Sequence, residues 1–169
     1  GSAPPGPQLA GAVVIAIDRA GPDDAATVLE LLHELAEHED SLRAVRSNTE
    51  DWRTALADPS VTVLLAHDGH RPVGYVSGVC QRNLWLGRDL FAMDDLYVRP
   101  GARDQGVGRR LMLALAEHCQ PDELVITWGA RSDNEAGHRF YRRLGATLWP
   151  KVAASWSPPQ YAAHLATRE

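Results

Sequence analysis

The chain has 169 residues, a size at which one domain can bury a substantial core without disulfides or a structural metal. Its formal net charge of -5 argues against nucleic acid or an anionic membrane as the main partner. Its two cysteines, Cys80 and Cys119, stand far apart, which predicts reduced intracellular thiols and no metal site. Without a signal peptide or an apolar run of about 18 residues, the chain is expected to be cytoplasmic and not to contact a membrane.

The first residues differ in composition from the rest. Gly1-Ser2 looks like a remnant of cloning, and residues 3–11 are rich in proline and glycine. We therefore expect residues 1–11 to be disordered. Residues 12–169 are expected to form a single domain, because no internal repeat or linker is visible.

The first predicted elements are a strand and a helix. Residues 13–17 have an alternating pattern of side chains that includes β-branched residues, which predicts the strand. Pro22, Asp23 and Asp24 then open the helix, because proline and acidic residues favour a first turn. The apolar positions that predict its buried side are Ala25, Val28, Leu31, Leu32 and Leu35.

A second, shorter helix is predicted from a capping signal. Ser47 and Glu50 have the spacing of a capping box, which predicts a helix through Trp52 and Leu56. Pro59 marks its end, because proline cannot continue a helix.

The middle of the chain predicts a hairpin, a third strand and a central helix. Residues 61–66 and 72–80 are β-rich and flank a turn signal at residues 67–70. Residues 90–98 then predict a strand. An apolar stripe with a spacing of four predicts the central helix, and its members are Val107, Leu111, Leu115 and Cys119.

Further elements complete an α/β pattern. Residues 124–128 predict a strand, and Asp133 or Asn134 is expected to cap the helix that carries Tyr141. Strands that come first in hairpins and then alternate with helices predict a central sheet covered by helices on both faces.

The end of the chain predicts a hairpin and a short helix. Residues 146–152 and 154–156 are expected to pair as the closing hairpin. A short helix is expected to begin at Gln160, after two prolines.

A basic, glycine-punctuated turn joins the strand that ends at Val98 to the central helix. Gly106 and Gly108 lack a β-carbon, so a ligand can approach the backbone, and the first N–H groups of the helix carry about half a positive charge. Full positive charges come from Arg103, Arg109 and Arg110. The turn therefore predicts a phosphate site. Leu111 replaces the third glycine of a dinucleotide fingerprint, and Gly-Lys-Ser/Thr is absent, so both nucleotide motifs are excluded.

The spacing Arg103-x-x-Gly106-x-Gly108 resembles the pyrophosphate loop of the GNAT superfamily of acetyl-coenzyme A-dependent N-acetyltransferases. Residues 134–146, Asn-Glu-Ala-Gly-His-Arg-Phe-Tyr-Arg-Arg-Leu-Gly-Ala, resemble a second family segment. The resemblance implies an α/β fold with a mixed, mostly antiparallel sheet that is splayed at its middle. It also implies acetyl-CoA as co-substrate and no metal. The cofactor-binding residues that it implies are Leu96, Tyr97, Val98, Arg103, Asp104, Gln105, Gly106, Val107, Gly108, Arg109, Asn134 and Tyr141.

Tyr141 is the implied acid of the reaction. In the family, a tyrosine at this place protonates the departing thiolate of coenzyme A, and a phenol with a pKa of about 10 is a competent donor. The alternative is an aromatic residue at the edge of the core.

Asp94 is the candidate base, because residues 93–98 resemble the strand of diamine and polyamine acetyltransferases that carries an acid. An alkylamine has a pKa of about 10.4, so its proton must be removed before attack, here through water. Strand alternation predicts that Asp94 and Asp95 point to opposite faces. The alternative is that both acids only accept hydrogen bonds or ion pairs.

The first helix resembles that of polyamine acetyltransferases, so its acids are candidates for an amine-binding entrance. A metalloprotease motif is excluded because Glu37 stands where histidine is required. The candidate substrate-binding residues are Glu34, Glu37, Trp85 and Asp95. With Glu39, the acids of this entrance predict that diamines are better acceptors than monoamines. A solvated helix face is the alternative reading of Glu34 and Glu37.

The sequence thus predicts an N-acetyltransferase that moves an acetyl group to a small primary amine, such as a polyamine, a diamine or an amine antibiotic, by direct attack in a ternary complex. A protein or peptide acceptor and a non-catalytic acyl-CoA sensor are the alternatives. The expected partner is the amine, and a homodimer stays open.

Overall fold

A computed structural model describes residues 14–167 of the chain. The predicted disorder of residues 1–11 lies outside these residues. The described chain divides after Gly129 into two compact units. No helix in residues 14–167 has the length and apolar character needed to cross a membrane.

The first unit contains a five-stranded sheet in the order β1-β2-β3-β4-β5. The strands are β1 (Ile15–Arg19), β2 (Val61–Asp68), β3 (Arg71–Asn83), β4 (Arg88–Val98) and β5 (Ile126–Thr127). The first four strands pair antiparallel, and β5 pairs parallel with β4. The predicted mixed, mostly antiparallel sheet is therefore confirmed, although the strand predicted over residues 124–128 is shorter than expected.

Helices cover both faces of this sheet, as predicted. They are α1 (Ala25–His38) and α2 (Thr49–Ala57) on one face and α3 (Val107–Cys119) on the other. Val28 and Leu31 of α1 are fully buried against Tyr75 of β3. The predicted stripe of α3 is buried along its whole length, at Val107, Leu111, Leu115 and Cys119. Burial of each such Val or Leu side chain stabilises the fold by about 1.5–3 kcal/mol.

The cap of α2 lies one residue later than predicted. Asn48 Oδ1 accepts a hydrogen bond from the N–H of Asp51 over 3.0 Å, and an Asp51 carboxylate oxygen accepts the N–H of Asn48 over 2.9 Å. Ser47 instead accepts a hydrogen bond from Trp52 Nε1 over 3.1 Å. The predicted Ser47 and Glu50 box was wrong because the neighbouring Asn48 and Asp51 have the same spacing and chemistry.

The second unit contains α4 (Glu135–Arg143) and α5 (Pro158–Ala166). The closing hairpin predicted over residues 146–156 is wrong, because that segment forms no strand. Pro150 interrupts its first half and cannot donate to a strand ladder. The last helix begins at Pro158, two residues before the predicted start, because proline is favoured in a first helical turn.

Candidate active site

The turn between β4 and α3 presents backbone donors at the start of the helix. Gly106 is the N-cap with a φ of 76°, in the left-handed region that favours glycine. No side chain in residues 14–167 caps α3, so its first N–H groups are available to a ligand. A β-carbon at Gly106 would meet no protein atom within 4 Å, which leaves the approach to the backbone open. The geometry of the turn suits an anionic ligand such as a phosphate.

The arginines of this turn have different partners. Arg103 Nε donates to Val98 O over 3.0 Å, and Arg110 Nη1 donates to Ile15 O over 3.1 Å. Arg110 thereby links α3 to β1. Arg109 is exposed and has no ion pair or side-chain hydrogen bond within residues 14–167, so its charge is available to phosphate.

Asp104 occupies a left-handed backbone position in the same turn. Its φ is 61°, which explains why glycine is common at this place in the family that the turn resembles. The side chain is exposed and adds a negative charge next to the predicted phosphate site.

The last half of β4 has an open edge. β5 pairs with β4 only at Phe91 and Ala92, whereas β4 continues to Val98. Beyond Ala92, no strand in residues 14–167 pairs with this edge of β4, so its backbone groups can pair with an extended ligand. Leu96, Tyr97 and Val98 lie on this open stretch, which agrees with the splay that the resemblance implies.

A β-bulge in β4 changes the direction of its two acids. Ser77 pairs with Asp95 and Gly78 pairs with Met93, so Asp94 is the extra residue. A β-carbon at Gly78 would overlap the Ala92 carbonyl oxygen and lie 2.9 Å from Met93 Cα, so glycine permits this close approach.

Two aromatic residues show the effect of the bulge on the faces of β4. Phe91 contacts His118 of α3, whereas the Tyr97 hydroxyl donates to Glu34 of α1. Phe91 and Tyr97 are six positions apart and would share a face in a regular strand. Phe91 is on the α3 face, so alternation forward from it places Asp94 on the α1 face. Tyr97 is on the α1 face, so alternation back from it places Asp95 on the α1 face as well. The prediction that they point to opposite faces was therefore wrong.

Asp95 is the more enclosed of the two acids. Tyr75 is fully buried, and its hydroxyl donates to Asp95 Oδ2 over 3.2 Å. Burial raises the pKa of Asp95, and the negative charges of Asp94 and Glu39 raise it further, while the Tyr75 hydrogen bond lowers it. Asp94 is exposed, and partial desolvation of its carboxyl also raises its pKa.

A cavity of about 310 Å³ lies between the end of α1, the α1–α2 connection and β4. We call it the α1 cavity. Its lining residues are Leu32, Leu35, Ala36, Glu39, Ser41, Ala44, Val45, Arg46, Ser47 and Asp95. It has apolar walls and three ionisable groups, which are Glu39, Arg46 and Asp95. This composition is suited to a small ligand with charged ends and an apolar chain.

Glu34 is held by an arginine. Its carboxylate accepts hydrogen bonds from Arg99 Nε over 3.0 Å and from Arg99 Nη2 over 2.6 Å. The Arg99 hydrogen bond holds the pKa of Glu34 below its usual value. Because this carboxylate is already paired and does not line the α1 cavity, it is a poor candidate for binding a cationic acceptor.

Of the other predicted substrate residues, Asp95 lines the α1 cavity, whereas Glu37 and Trp85 lie outside it. Glu37 is exposed on α1, and Trp85 is 99% exposed in the turn between β3 and β4. Neither lines the cavity. Sequence reasoning missed Arg46, which lies in a loop without a motif, and Tyr75, which was predicted only as part of a strand.

Asn134 and Tyr141 belong to the second unit. Asn134 Oδ1 caps α4 by accepting the N–H of Gly137 over 3.0 Å, and a β-carbon at Gly137 would lie 2.9 Å from Asn134 Cγ. The space beside Gly137 is thus filled by Asn134. Tyr141 packs edge-on against Phe140, with ring centroids 5.3 Å apart, and burial raises its pKa. Their roles in binding and catalysis stay predictions.

Comparisons with known proteins assign the chain to a family. Residues 25–146 match the model of the acetyltransferase (GNAT) family, and this match runs from the first unit into the second. The chain is 31% identical over 121 residues to thialysine N-epsilon-acetyltransferase from Caenorhabditis elegans, which covers 71% of this chain and 75% of that protein. It is 28% identical over 148 residues to the Bos taurus protein of the same name, and this match covers 78% of this chain and 84% of that protein.

Solved structures show the same fold. An aminoglycoside acetyltransferase from an uncultured soil metagenomic sample, in complex with trehalose, has a TM-score of 0.74 at 17% identity. The match covers 85% of this chain and 95% of that chain. Members of this family use acetyl-CoA as co-substrate. The chain therefore belongs to the GNAT family and is an N-acetyltransferase.

Proposed function

We propose that the chain transfers the acetyl group of acetyl-CoA to the primary amine of a small molecule that binds in the α1 cavity. One observation carries this proposal. The same strand, β4, lines the cavity with Asp95 and continues through its open edge into the turn at Gly106. An amine in the cavity and coenzyme A along β4 would thus meet at one strand.

The backbone positions coenzyme A in this proposal. The first N–H groups of α3 bind its diphosphate, and the open edge of β4 pairs with the amide groups of its pantetheine arm. The bound co-substrate supplies an acetyl group activated as a thioester. Arg109 adds positive charge beside the diphosphate.

Asp94 and Asp95 have different roles toward the acceptor ammonium, with Asp94 as the base. Both lie on the α1 face of β4, and Asp94 has the wider access to water, so it can take the proton through a water molecule. Asp95 lines the cavity and pairs with the incoming cation. Tyr141 would protonate the departing thiolate, since burial raises its pKa and keeps the phenol protonated at neutral pH.

The size of the α1 cavity supports a small, linear acceptor. Its volume of about 310 Å³ is at the lower end of the range of about 300–1,000 Å³ for ligand pockets. That volume suits a single alkyl chain with charged ends better than a multi-ring amine antibiotic. The names of the Caenorhabditis elegans and Bos taurus relatives, which specify thialysine, agree with this choice.

A panel of primary amines with acetyl-CoA, followed by thiol release, tests the proposal. Asp95→Asn should lower kcat/KM for the best amine by about 100-fold or more. Asp89→Asn is the matched control, because Asp89 lies on the same strand and pairs with Arg82 over 3.3 Å outside the α1 cavity. Acetylation of peptides but of no small amine would contradict the proposal, as would coenzyme A binding without turnover of any amine.

A further inference from the structure

The charges of the α1 cavity do not match those of a simple diamine. Arg46 contributes a positive charge, and Glu39 and Asp95 contribute negative ones. Neither Arg46 nor Glu39 makes an ion pair or a side-chain hydrogen bond within residues 14–167. Glu34 of α1, in contrast, is paired with Arg99. The cavity therefore offers one free cation together with two acids.

A diamine would place its distal ammonium in a cavity that also contains Arg46. Like charges about 4 Å apart repel by about 1 kcal/mol in water and by more in a partly enclosed site. An α-amino acid with an amine on its side chain removes this conflict. Its carboxylate is the natural partner of a guanidinium, which can bind it with two parallel hydrogen bonds.

We propose that Arg46 is a specificity-determining residue that binds the carboxylate of the acceptor, so that the enzyme prefers a lysine-like amino acid to a diamine of equal length. Glu39 binds the α-ammonium group, and the side-chain amine extends along Leu32 and Leu35 toward Asp95. The inference rests on the proposed function, because it assigns the acceptor to the α1 cavity.

Net charge agrees with this arrangement. Arg46, Glu39 and Asp95 together carry one net negative charge when all are ionised, and lysine carries one net positive charge. A diamine carries two positive charges and lacks a group for Arg46. The apolar residues between the charged ends provide a path for the methylene chain.

Three acceptors with matched chains separate the contributions of the charged groups. L-lysine has both α-groups, 1,5-diaminopentane lacks the carboxylate, and 6-aminohexanoate lacks the α-ammonium group. In the wild-type protein, kcat/KM should be highest for L-lysine, and mass spectrometry should locate the acetyl group on its side-chain amine.

The Arg46→Gln variant should lower kcat/KM for L-lysine and 6-aminohexanoate by on the order of 10- to 100-fold, mainly through KM, because the carboxylate contact is the same before and during the reaction. For 1,5-diaminopentane, kcat/KM should rise several-fold as the repulsion is removed. Arg46→Lys should retain part of the preference. Arg43→Gln is the control, because Arg43 lies in the same segment but does not line the cavity.

The outcomes separate this inference from the proposed function. If 1,5-diaminopentane is the better acceptor and Arg46→Gln leaves the ratio of the two substrates unchanged, the role of Arg46 is overturned while amine acetylation stands. If no small amine is acetylated, both are overturned. Unchanged coenzyme A affinity and thermal unfolding of Arg46→Gln would show that a loss of preference is not a loss of folding.

Discussion

The hydroxyl of Tyr75 donates a hydrogen bond to Asp95 Oδ2 over 3.2 Å, and this is the only hydrogen bond between side chains that Asp95 makes in residues 14–167. Tyr75 is fully buried, and burial raises the pKa of its phenol, so it stays protonated and able to donate at neutral pH. The ionisation of Asp95 therefore depends on a buried residue of the neighbouring strand.

Tyr75→Phe should move the acidic limb of the pH profile to higher pH. The Tyr75 hydrogen bond lowers the pKa of Asp95, so its removal leaves the raising effects of burial, Asp94 and Glu39 unopposed. A hydrogen bond to a charged group contributes about 1.5–3 kcal/mol, so the displacement of this limb should be measurable. The pH dependence of kcat/KM for wild type and Tyr75→Phe measures the displacement of the acidic limb. Tyr97→Phe, which removes the hydroxyl that donates to Glu34, should not move this limb.

Asp95→Asn should cost activity without a matching cost in stability at neutral pH. The pKa of Asp95 is raised in the folded state, so its favourable contribution is complete below the unfolded value of about 3.9 and is lost as the pH rises through the folded value. The free energy of unfolding of the variant, relative to wild type, should increase from about pH 4 to pH 7. Urea unfolding at the two pH values checks this, and a difference that falls with pH would contradict it.

Asp104→Gly should tighten coenzyme A binding. The change removes a negative charge from the turn and replaces a residue at a φ of 61° with one that adopts this conformation freely. We expect affinity to rise a few-fold at low salt and the gain to shrink at high salt. Calorimetry with coenzyme A at low and high salt measures both effects.

Gly108→Val should instead abolish coenzyme A binding, because the valine side chain would occupy the space through which the ligand approaches the backbone. Unchanged affinity in Gly108→Val would refute the assignment of the turn.

Tyr141→Phe should spare coenzyme A binding and lower kcat by about 100-fold or more, because only the proton donor is lost. Since burial raises the pKa of Tyr141, the wild-type phenol stays protonated and its ionisation should not limit activity between about pH 7 and pH 9. Calorimetry with coenzyme A tests whether binding is spared, and kcat measured over that pH range tests whether ionisation of Tyr141 limits activity. A kcat equal to that of the wild type at every pH would assign the proton to another group.

Periodicity predicted the parts of the fold that depend on one segment at a time. The stripe of α3 could be read from Val107 to Cys119 because a helix repeats its buried face within a single element. The glycine turn could be recognised because its chemistry is local. The family resemblance then supplied the mixed, mostly antiparallel sheet and its splay at the middle.

The sequence did not predict features that depend on contacts between segments. The bulge at Asp94 depends on Gly78 in the neighbouring strand, so alternation within β4 could not show that the two acids share a face. Arg46 lies in a connection without periodicity, and only the position of that connection beside α1 places it in the cavity. Likewise, the pairing of Glu34 with Arg99 joins residues 65 positions apart.

Arg99 also fixes the rotation of α1 about its own axis. It binds Glu30 over 2.8 Å as well as Glu34, and these carboxylates stand one helical turn apart on the same side of the helix. Its Nη1 donates to Pro72 O over 2.8 Å, which ties the same side chain to β3. The helix is therefore held on the side of its paired acids, and neither Glu39 nor Arg46 takes part in that contact. An enzyme built in this way can acquire a new acceptor through substitutions in residues 39–47 without rearranging the helix that supports them.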